Sequence, residues 1–530
     1  MAKSKGPEVH QVSARQVEEL FLTLRAQLSS ETYSLVESLL QTLLWIMGVL
    51  EQKKATLGRL REALFGSKSE KTKKLFPQEA GPEDPNQAAP QQAKRKGHGR
   101  RGTEAYPGAK RIKVPHPKCS AGKLCPECLK GKLYLLKKPA RLICIIAQPL
   151  FNATLYELER LRCALCGKVF TAPAPAQAGR AKYDPNVGSM LAIQRFGAGL
   201  PMYRIAKWQE YFGVPMPAST QWELIDAASA VPEVIYNTLI HLGAQGTLIH
   251  NDDTFMRVQS LAQEIAEQED GGRTGIFTTS ILCQTGSNQI ALYFTGRKHA
   301  GENLDQLLKG RAAQLGKPLQ MCDALSRNKP KASVTDLCHC ILHGRRNFID
   351  QIENFPQECR KVIESLREIY RIEAQIKQDG LCDADRLACH QAQSAPVMED
   401  LHQWMKVQLE QKKVEPNSGL GRAIGYMLKH WEALTRFLKV PGAPLDNNLC
   451  ERALKMAIMH RKNSLSYKTL RGAQVGDIFM SLIHTCQLNG VNPFDYLTVL
   501  QTHADEVAKD PAYWLPWDYQ QAARGSLDSG

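Results

Sequence analysis

A change of hydrophobic period at residue 246 constrains this chain more than any other feature. Residues 184–232 follow a helical spacing, whereas from GTLIHNDDTFMRV onward apolar and polar residues alternate. Alternation with period two marks half-buried strands. RTGIFTTSILCQTG and NQIALYFTGRK continue it across turns rich in Gly, Ser and Asn, so an antiparallel meander is expected. NLDQLLKGRAAQL then reads as a helix, PLQMCDALS as a fourth short strand ending at Asp323, and the segment containing CHCILHGRRNF as a further helix. Three meandering strands, a helix and a fourth strand place Asp252 and Asp323 at strand ends, where α/β folds gather ligands.

Two acids alone do not make a site, because acids cap helices and turn loops throughout proteins. A third candidate lies in LDNNLCERALKMAIMHRKN, residues 445–463, where the lone Glu451 stands among amides and cations. On a helix Asn447, Asn448 and Lys455 share its face. Glu451 is then either a ligand in an oxygen-rich cation site, or a surface partner of Lys455 behind a cap at Asp446 or Asn447.

At 530 residues the chain exceeds a single core, and roughly three or four domains are expected. Lys and Arg number 68 against 53 acids, a formal net charge of +15, which suits a polyanionic partner, nucleic acid most simply. The polar start MAKSKGPEVHQ lacks the apolar stretch of a signal peptide. The longest uncharged apolar run, SLLQTLLWIMGVL, has 13 residues, short of the ~18 that span a bilayer. A soluble protein in a reducing compartment follows, its 15 cysteines free or metal-bound.

Within 14–75 a heptad seam runs Val36, Leu39, Leu43, Ile46, Leu50, Lys53, Leu57, Leu60, Leu64, apolar at eight of nine positions, so a coiled coil is expected there. Residues 76–112 read as a Pro-rich linker that turns basic at AKRKGHGRRG, where Lys94, Arg95, Lys96, Arg100 and Arg101 are either phosphate contacts or a solvated charge run. Within 113–175, Cys125 and Cys128 in CPEC and Cys163 and Cys166 in CALC, with a spacer of 34 residues between the pairs, bracket apolar runs that read as strands (KLYLL, RLICIIAQPLF). Two such pairs have the form of a four-thiolate Zn2+ site. Residues 176–235 carry two helices around a Gly-Val-Pro turn, with Ser219 as the expected N-cap of the second: a helix-turn-helix outline or a plain hairpin.

The motifs resemble those of the insertion-sequence-66 family of bacterial transposases over nearly the whole chain. LREALFGSKSEK is similar to the end of that family's leucine zipper, and the two CxxC pairs to its zinc-binding domain. HLGAQGTLIHNDDTFMRV and LQMCDA resemble the segments of its first two catalytic aspartates, at Asp252 and Asp323. CILHGRRNF resembles its His-x-Arg-Arg-x-Phe segment, at His343, Arg345, Arg346 and Phe348. PLDNNLCERALK resembles its Asp-Asn-Asn-x-x-Glu-Arg segment, at Glu451, and AYWLPWDY its Leu-Pro-Trp tail. The chain departs from the family pattern at Asp253, where Glu is usual, at Ala324-Leu325, where Gly-Tyr is usual, and at His460, where Gly is usual.

The resemblance implies a multidomain α+β protein. Its parts are a coiled-coil helix, a zinc-binding β module, a helix-turn-helix-like segment, and a ribonuclease-H-like α/β core (236–349 and 441–490) split by an all-helical insertion (350–440), with a tail at 491–530. It implies an Asp252, Asp323, Glu451 triad holding two Mg2+ (or Mn2+) ions for DNA cleavage and strand transfer. His343, Arg345, Arg346, Arg452, Lys455, Arg461 and Lys462 are candidates for DNA contacts, or for structural ion pairs. The expected partners are the element's terminal inverted repeats, target DNA, a second copy through the coiled coil and accessory proteins of the same element. The expected setting is a bacterial cytoplasm, at the nucleoid during action. A non-catalytic zinc-containing DNA-binding protein and a metal-dependent nuclease without strand transfer are the rival readings.

Overall fold

The computed structural model describes residues 150–166, 168–176, 181–268 and 272–528, most of 114–136, and residues 24, 32, 33 and 36. The heptad seam beyond Val36 and the basic run Lys94, Arg95, Lys96, Arg100 and Arg101 lie outside the described residues. Two compact units, Met1–Glu79 and Ala80–Gly530, divide the chain, and the second carries everything below. Among the described residues no helix is long and apolar enough to cross a membrane.

Both cysteine pairs sit in tight turns. Strands β1 (Arg160–Arg162) and β2 (Val169–Thr171) pair antiparallel around Cys163 and Cys166. A bridge between Leu124 and Lys132 closes the turn of Cys125 and Cys128 in the same manner. The strand expected in KLYLL reduces to Lys132 and Leu133, whose backbone bonds reach Gly122, Lys123 and Leu124 across the turn, and among the described residues no ladder continues through Tyr134–Leu136. Of RLICIIAQPLF only Leu150 and Phe151 are described, and Phe151 joins the main core.

Four helices lead into the sheet: α1 (Pro185–Ala192), α2 (Met202–Tyr211), α3 (Ala218–Ala228) and α4 (Ala230–Ala244). The turn after α2 relies on Gly213, whose φ of +70° suits a residue without Cβ. Pro217, not Ser219, occupies the N-cap of α3: its fixed φ and extended ψ start the helix at Ala218 and leave Ser219 inside the first turn. Gln221 does the tying instead, donating from Nε2 to the carbonyls of Met202 (3.1 Å) and Met216 (2.8 Å).

Strand β3 (Leu248–Phe255) and α5 (Gln259–Ala266) come next, followed by the hairpin of β4 (Phe277–Thr285) and β5 (Asn288–Gly296). Then come α6 (Ala300–Leu308), β6 (Leu319–Cys322), β7 (Asp336–His339) and α7 (Ile341–Ile349). The sheet order is β5-β4-β3-β6-β7. The hairpin and β3 are antiparallel; β3, β6 and β7 are parallel. This mixed sheet is compatible with a ribonuclease-H-like core. The fifth strand corrects the expectation of helix through CHC: Asp336–His339 pairs with β6, and Cys340 caps a helix that begins only at Ile341. Four residues are too few to display a period, so DLCH carried no strand signal.

A helical stretch follows: α8 (Pro356–Asp379), α9 (Asp383–Cys389), α10 (Ala395–Glu410), α11 (Gly419–Lys429) and α12 (Trp431–Leu434). Val362, Ile363, Leu366 and Ile369 of α8 recur at helical spacing and are buried. Buried Glu373 is held by Arg386 and His390, each at 2.9 Å, and this company brings its carboxyl down to about 2 despite burial. The chain then returns to the sheet through α13 (Asn448–Ser464) and α14 (Leu470–Leu488) and closes with α15 (Pro493–Thr502), α16 (Ala504–Lys509) and α17 (Tyr519–Asp528).

Helix α14 solves the edge problem of β5. The outward amides of Gln289, Ala291, Tyr293 and Thr295 donate to the side chains of Asn489, Thr485, Ser481 and Asp477, at 3.1, 3.0, 2.9 and 2.6 Å. Every second residue of the strand thus meets every fourth residue of the helix region. Side chains stand where a sixth strand would pair, and the edge is closed.

Candidate active site at the carboxyl ends of the parallel strands

The register that pairs His250 with Met321 and Cys322 with His339 continues past the paired residues. It sets Asp252, Asp323 and Cys340 in one row across β3, β6 and β7. The two aspartates, remote in sequence, therefore lie side by side. A buried amide joins them: Asn328 Nδ2 donates to Asp252 Oδ1 (3.1 Å) and Asp323 Oδ1 (2.6 Å). The Asn328 carbonyl in turn accepts from Asn251 Nδ2 (2.8 Å) and Gln320 Nε2 (2.9 Å), so the loop is fixed to β3 and β6. Burial, then the neighbouring Asp323 charge, pushes the Asp252 carboxyl up to about 7. Two crowded carboxylates, one of them with a raised proton affinity, are a donor set that a hard divalent cation relieves.

Asp253 faces the other way. Its Oδ2 lies 3.0 Å from His299 Nδ1 and 3.3 Å from the amide of Ala300 at the start of α6, and Arg327 stands 3.5 Å from Oδ1. The departure from Glu at this position places a short acid where it anchors α6 to β3. His460, the departure from Gly, is buried and stacks on Tyr467 with ring centroids 4.1 Å apart. Burial and nearby Arg195 bring it down to about 3, so it is a neutral packing ring.

Glu451 reaches this row from the first turns of α13, and Asn447 docks that helix. Fully buried, Asn447 accepts from His250 Nδ1 through Oδ1 (3.0 Å) and donates from Nδ2 to the Asn251 carbonyl (3.2 Å). Its amide donates to Cys340 Sγ (3.3 Å). Asn447 holds the N-cap place without capping through its side chain; Asp446 Oδ1 receives the Asn448 amide at 3.0 Å. The half-buried Glu451 carboxylate turns to His343, Nε2 to Oε1 4.0 Å, and not along its own helix to Lys455. Among the described residues, the group of three metal-capable side chains with donor atoms all within 4.8 Å is Cys340, His343 and Glu451. Neither the three acids nor the four cysteines of the knuckles close to that distance. Burial pushes the Cys340 thiol up to about 12.

The cationic candidates divide. Asn448, Glu451, Arg452 and Lys455 line a cleft of about 340 Å³, and Arg346 on α7 and Lys462 on α13 are exposed. Arg461 is committed to the end of β3, donating to Thr254 Oγ1 (3.1 Å) and the Phe255 carbonyl. Arg345 is buried. In the first knuckle the amides of Gly131 and Lys130 and the Cys125 thiol lower the Cys128 pKa, the direction that favours a thiolate ligand. Sequence reasoning missed Asn328 and Cys340. The i, i+3 spacing of Cys340 and His343 was a usable signal for the second; nothing marked the first.

A family model described as "Transposase IS66 family" matches residues 180–475. Among curated proteins, uncharacterized protein y4hP of Sinorhizobium fredii is 26% identical over 395 residues, covering 70% of this chain and 68% of the relative. Uncharacterized protein y4jD of the same organism is 27% identical over 384 residues, covering 68% and 71%. The matched region holds the sheet, the helical insertion and α13, and it spans more than half of the chain, which therefore belongs to the IS66 family of transposases.

Proposed function

We propose that this chain cuts and joins the ends of an insertion sequence by phosphoryl transfer on DNA, with Asp252, Asp323 and Glu451 as the catalytic acids. The observation that carries the reading is the shared row of Asp252 and Asp323, bridged by Asn328, beneath the helix that bears Glu451. Asp252, Asp323 and Glu451 would hold the Mg2+ or Mn2+ ions, which would supply activation of the attacking hydroxyl and charge relief at the leaving 3′ oxygen. Asp252 and Asp323 offer the hard oxygens such ions prefer, and Asn328 holds their spacing beforehand. Asn447 fixes the approach of α13, so Glu451 moves by side-chain rotation rather than by helix displacement. Arg452 and Lys455 in the cleft, with Arg346 and Lys462, neutralise the phosphates on either side of the scissile bond. Water as nucleophile nicks the end; a freed 3′-OH as nucleophile joins it to target DNA.

The α2–α3 pair is the proposed reader of the terminal repeats. Its α2 exposes Tyr203, Trp208 and Tyr211, with Arg204 and Lys207 lying over the rings of Tyr203 and Tyr211 at 5.6 and 5.8 Å. Aromatic and cationic groups together suit a DNA surface. Cys125, Cys128, Cys163 and Cys166 are the proposed ligands of a structural Zn2+ that draws the two knuckles together. Pairing of two ends is assigned to the heptad region, and helper proteins of the same element remain open partners.

The test is nicking of element-end DNA in Mg2+ by wild type, Asp252→Asn and Glu451→Gln. Cleavage by wild type alone supports the reading. Equal binding by all three with no cleavage by any sinks it in favour of a DNA-binding protein. Pre-cut ends with a free 3′-OH separate a strand transferase from a nuclease. Metal analysis giving about one Zn2+ per chain, lost in Cys125→Ser with Cys163→Ser, tests the knuckles.

A further inference from the structure

Two donor sets of opposite character lie along the row that Glu451 approaches. On one side are the carboxylates of Asp252 and Asp323; on the other are a thiol and an imidazole. Cys340 ends the row as the N-cap of α7, and His343 lies one turn along that helix, so both share a face. The Asn447 amide donates to Cys340 Sγ at 3.3 Å and so fixes the sulfur on the side of His343 and Glu451. His343 Nε2 is 4.0 Å from Glu451 Oε1, and one donor atom from each of the three residues falls within 4.8 Å of the others.

Tetrahedral Zn2+ sets sulfur, nitrogen and oxygen donors about 3.3–3.8 Å apart, so a contraction of about 1 Å closes this group around an ion. Three protein donors leave a fourth position for water. A thiolate and an imidazole are poor ligands for Mg2+ and good ones for Zn2+, Co2+ and their like. Softness therefore separates the two sites, although they share one carboxylate.

We propose that Cys340, His343 and Glu451 form a second cation site for a thiophilic divalent ion, and that filling it draws Glu451 away from Asp252 and Asp323 and silences strand cleavage. The silencing half rests on those three acids being the catalytic ones; the binding half does not. Zinc in the micromolar range then inhibits in the presence of millimolar Mg2+, because the soft donors exclude the hard ion and the shared carboxylate cannot serve both.

Co2+ is the probe for the full-length protein carrying one Zn2+ per chain, which fills the tighter four-thiolate knuckles and leaves the three-donor site open. Wild type is expected to take up about one further Co2+ per chain with a near-ultraviolet sulfur-to-cobalt charge-transfer band. Cys340→Ala loses the band, and His343→Gln weakens Co2+ binding at least about tenfold. Cys340→Ser keeps the size of the side chain, and circular dichroism of each variant identifies misfolding. Mg2+-dependent cleavage is then read as the ratio with and without micromolar Zn2+, within each variant. The ratio is expected to be low for wild type and to approach one for Cys340→Ala and Cys340→Ser. No added sulfur band in wild type, or a band that persists in folded Cys340→Ala, overturns the site. A Cys340-dependent band with equal zinc inhibition in wild type and variant overturns the silencing. A Cys340-dependent band in a wild type that never cleaves in Mg2+ alone leaves the cation site standing and overturns the catalytic reading beneath it.

Discussion

Asp252 and Cys340 stand in the same row of one sheet, two strands apart, yet their surroundings differ in kind. Around Asp252 the polar atoms are interlocked: Asn328 bridges it to Asp323, and Asn251 and Gln320 hold Asn328 in place. Around Cys340 the contacts are backbone amides, those of Asn447, His343 and Leu342, and the side chains beyond them are His343 and Glu451. The first environment is rigid, oxygen-rich and short of positive charge. The second is soft and loosely spaced. A strand order that gathers chain ends does not choose the chemistry; the residue that ends each strand does.

The largest break in this comparison is Asp252→Asn or Asp323→Asn. Either removes a hard ligand, and Mg2+-dependent strand cleavage on element-end DNA falls on the order of a thousandfold, equivalent to several kcal/mol of lost charge stabilisation. The corresponding change on the soft side, Cys340→Ala, leaves nothing of that size in Mg2+ alone.

Next is the support of α13. Asn447→Ala leaves the His250 ring and the Asn251 carbonyl buried with a partner missing, at a cost of about 1–3 kcal/mol for each group left unpaired. Urea unfolding of the variant measures it. Asn448→Ala, at the exposed next position, is expected within about 0.5 kcal/mol of wild type. A reversal of that order breaks the assignment of Asn447 as the dock.

The pH dependence follows from Asp252. Its folded value, about 7, stands above the ordinary 3.8. In metal-free protein its contribution to stability is full below ~4 and is lost as pH rises through ~7. Mg2+ needs the ionised form, so affinity rises about tenfold per pH unit up to ~7 and then levels, with release of a proton. Calorimetry in buffers of different ionisation enthalpy reads the proton directly. Asp323→Asn removes the charge that helps to raise Asp252, and the plateau moves to lower pH.

The smallest expected effect belongs to the cleft. Lys455→Ala weakens DNA binding uniformly across sequences and lowers the slope of log affinity against log salt by about 1. Sequence-dependent loss instead assigns Lys455 to base reading.

Much of the row was legible in the sequence. Alternation in HNDDTF and QMCDA located the strands, with Asp323 just past the end of β6 as expected but Asp252 inside β3, which runs on to Phe255, and the heavy amide content before Glu451 marked α13 as unusual. The family match bears out the transposase resemblance over residues 180–475. What was hidden depends on tertiary contact. Asn328 is one amide in a polar loop, and only the register of β3 on β6 brings it between two acids. Asp336–His339 is too short to show a period, so Cys340 lost its place in the row. Asn447 looked like a cap because that is what asparagine does at a helix start; its side chain was needed instead by β3. The Asp477, Ser481, Thr485, Asn489 spacing is one stripe of a helix, and only the fold shows that each member serves a different strand residue.

That stripe has a consequence in time. The amide of Gln289 waits for the side chain of Asn489, a separation of 200 residues along the chain. At ~5–20 residues per second, a ribosome needs on the order of 10–40 s to deliver the helix after the strand has emerged. For that interval every nascent copy carries an open, apolar sheet edge. Truncated copies ending before Asp477 carry it permanently, so slowed synthesis or premature stops turn this chain toward self-association long before its chemistry is at issue.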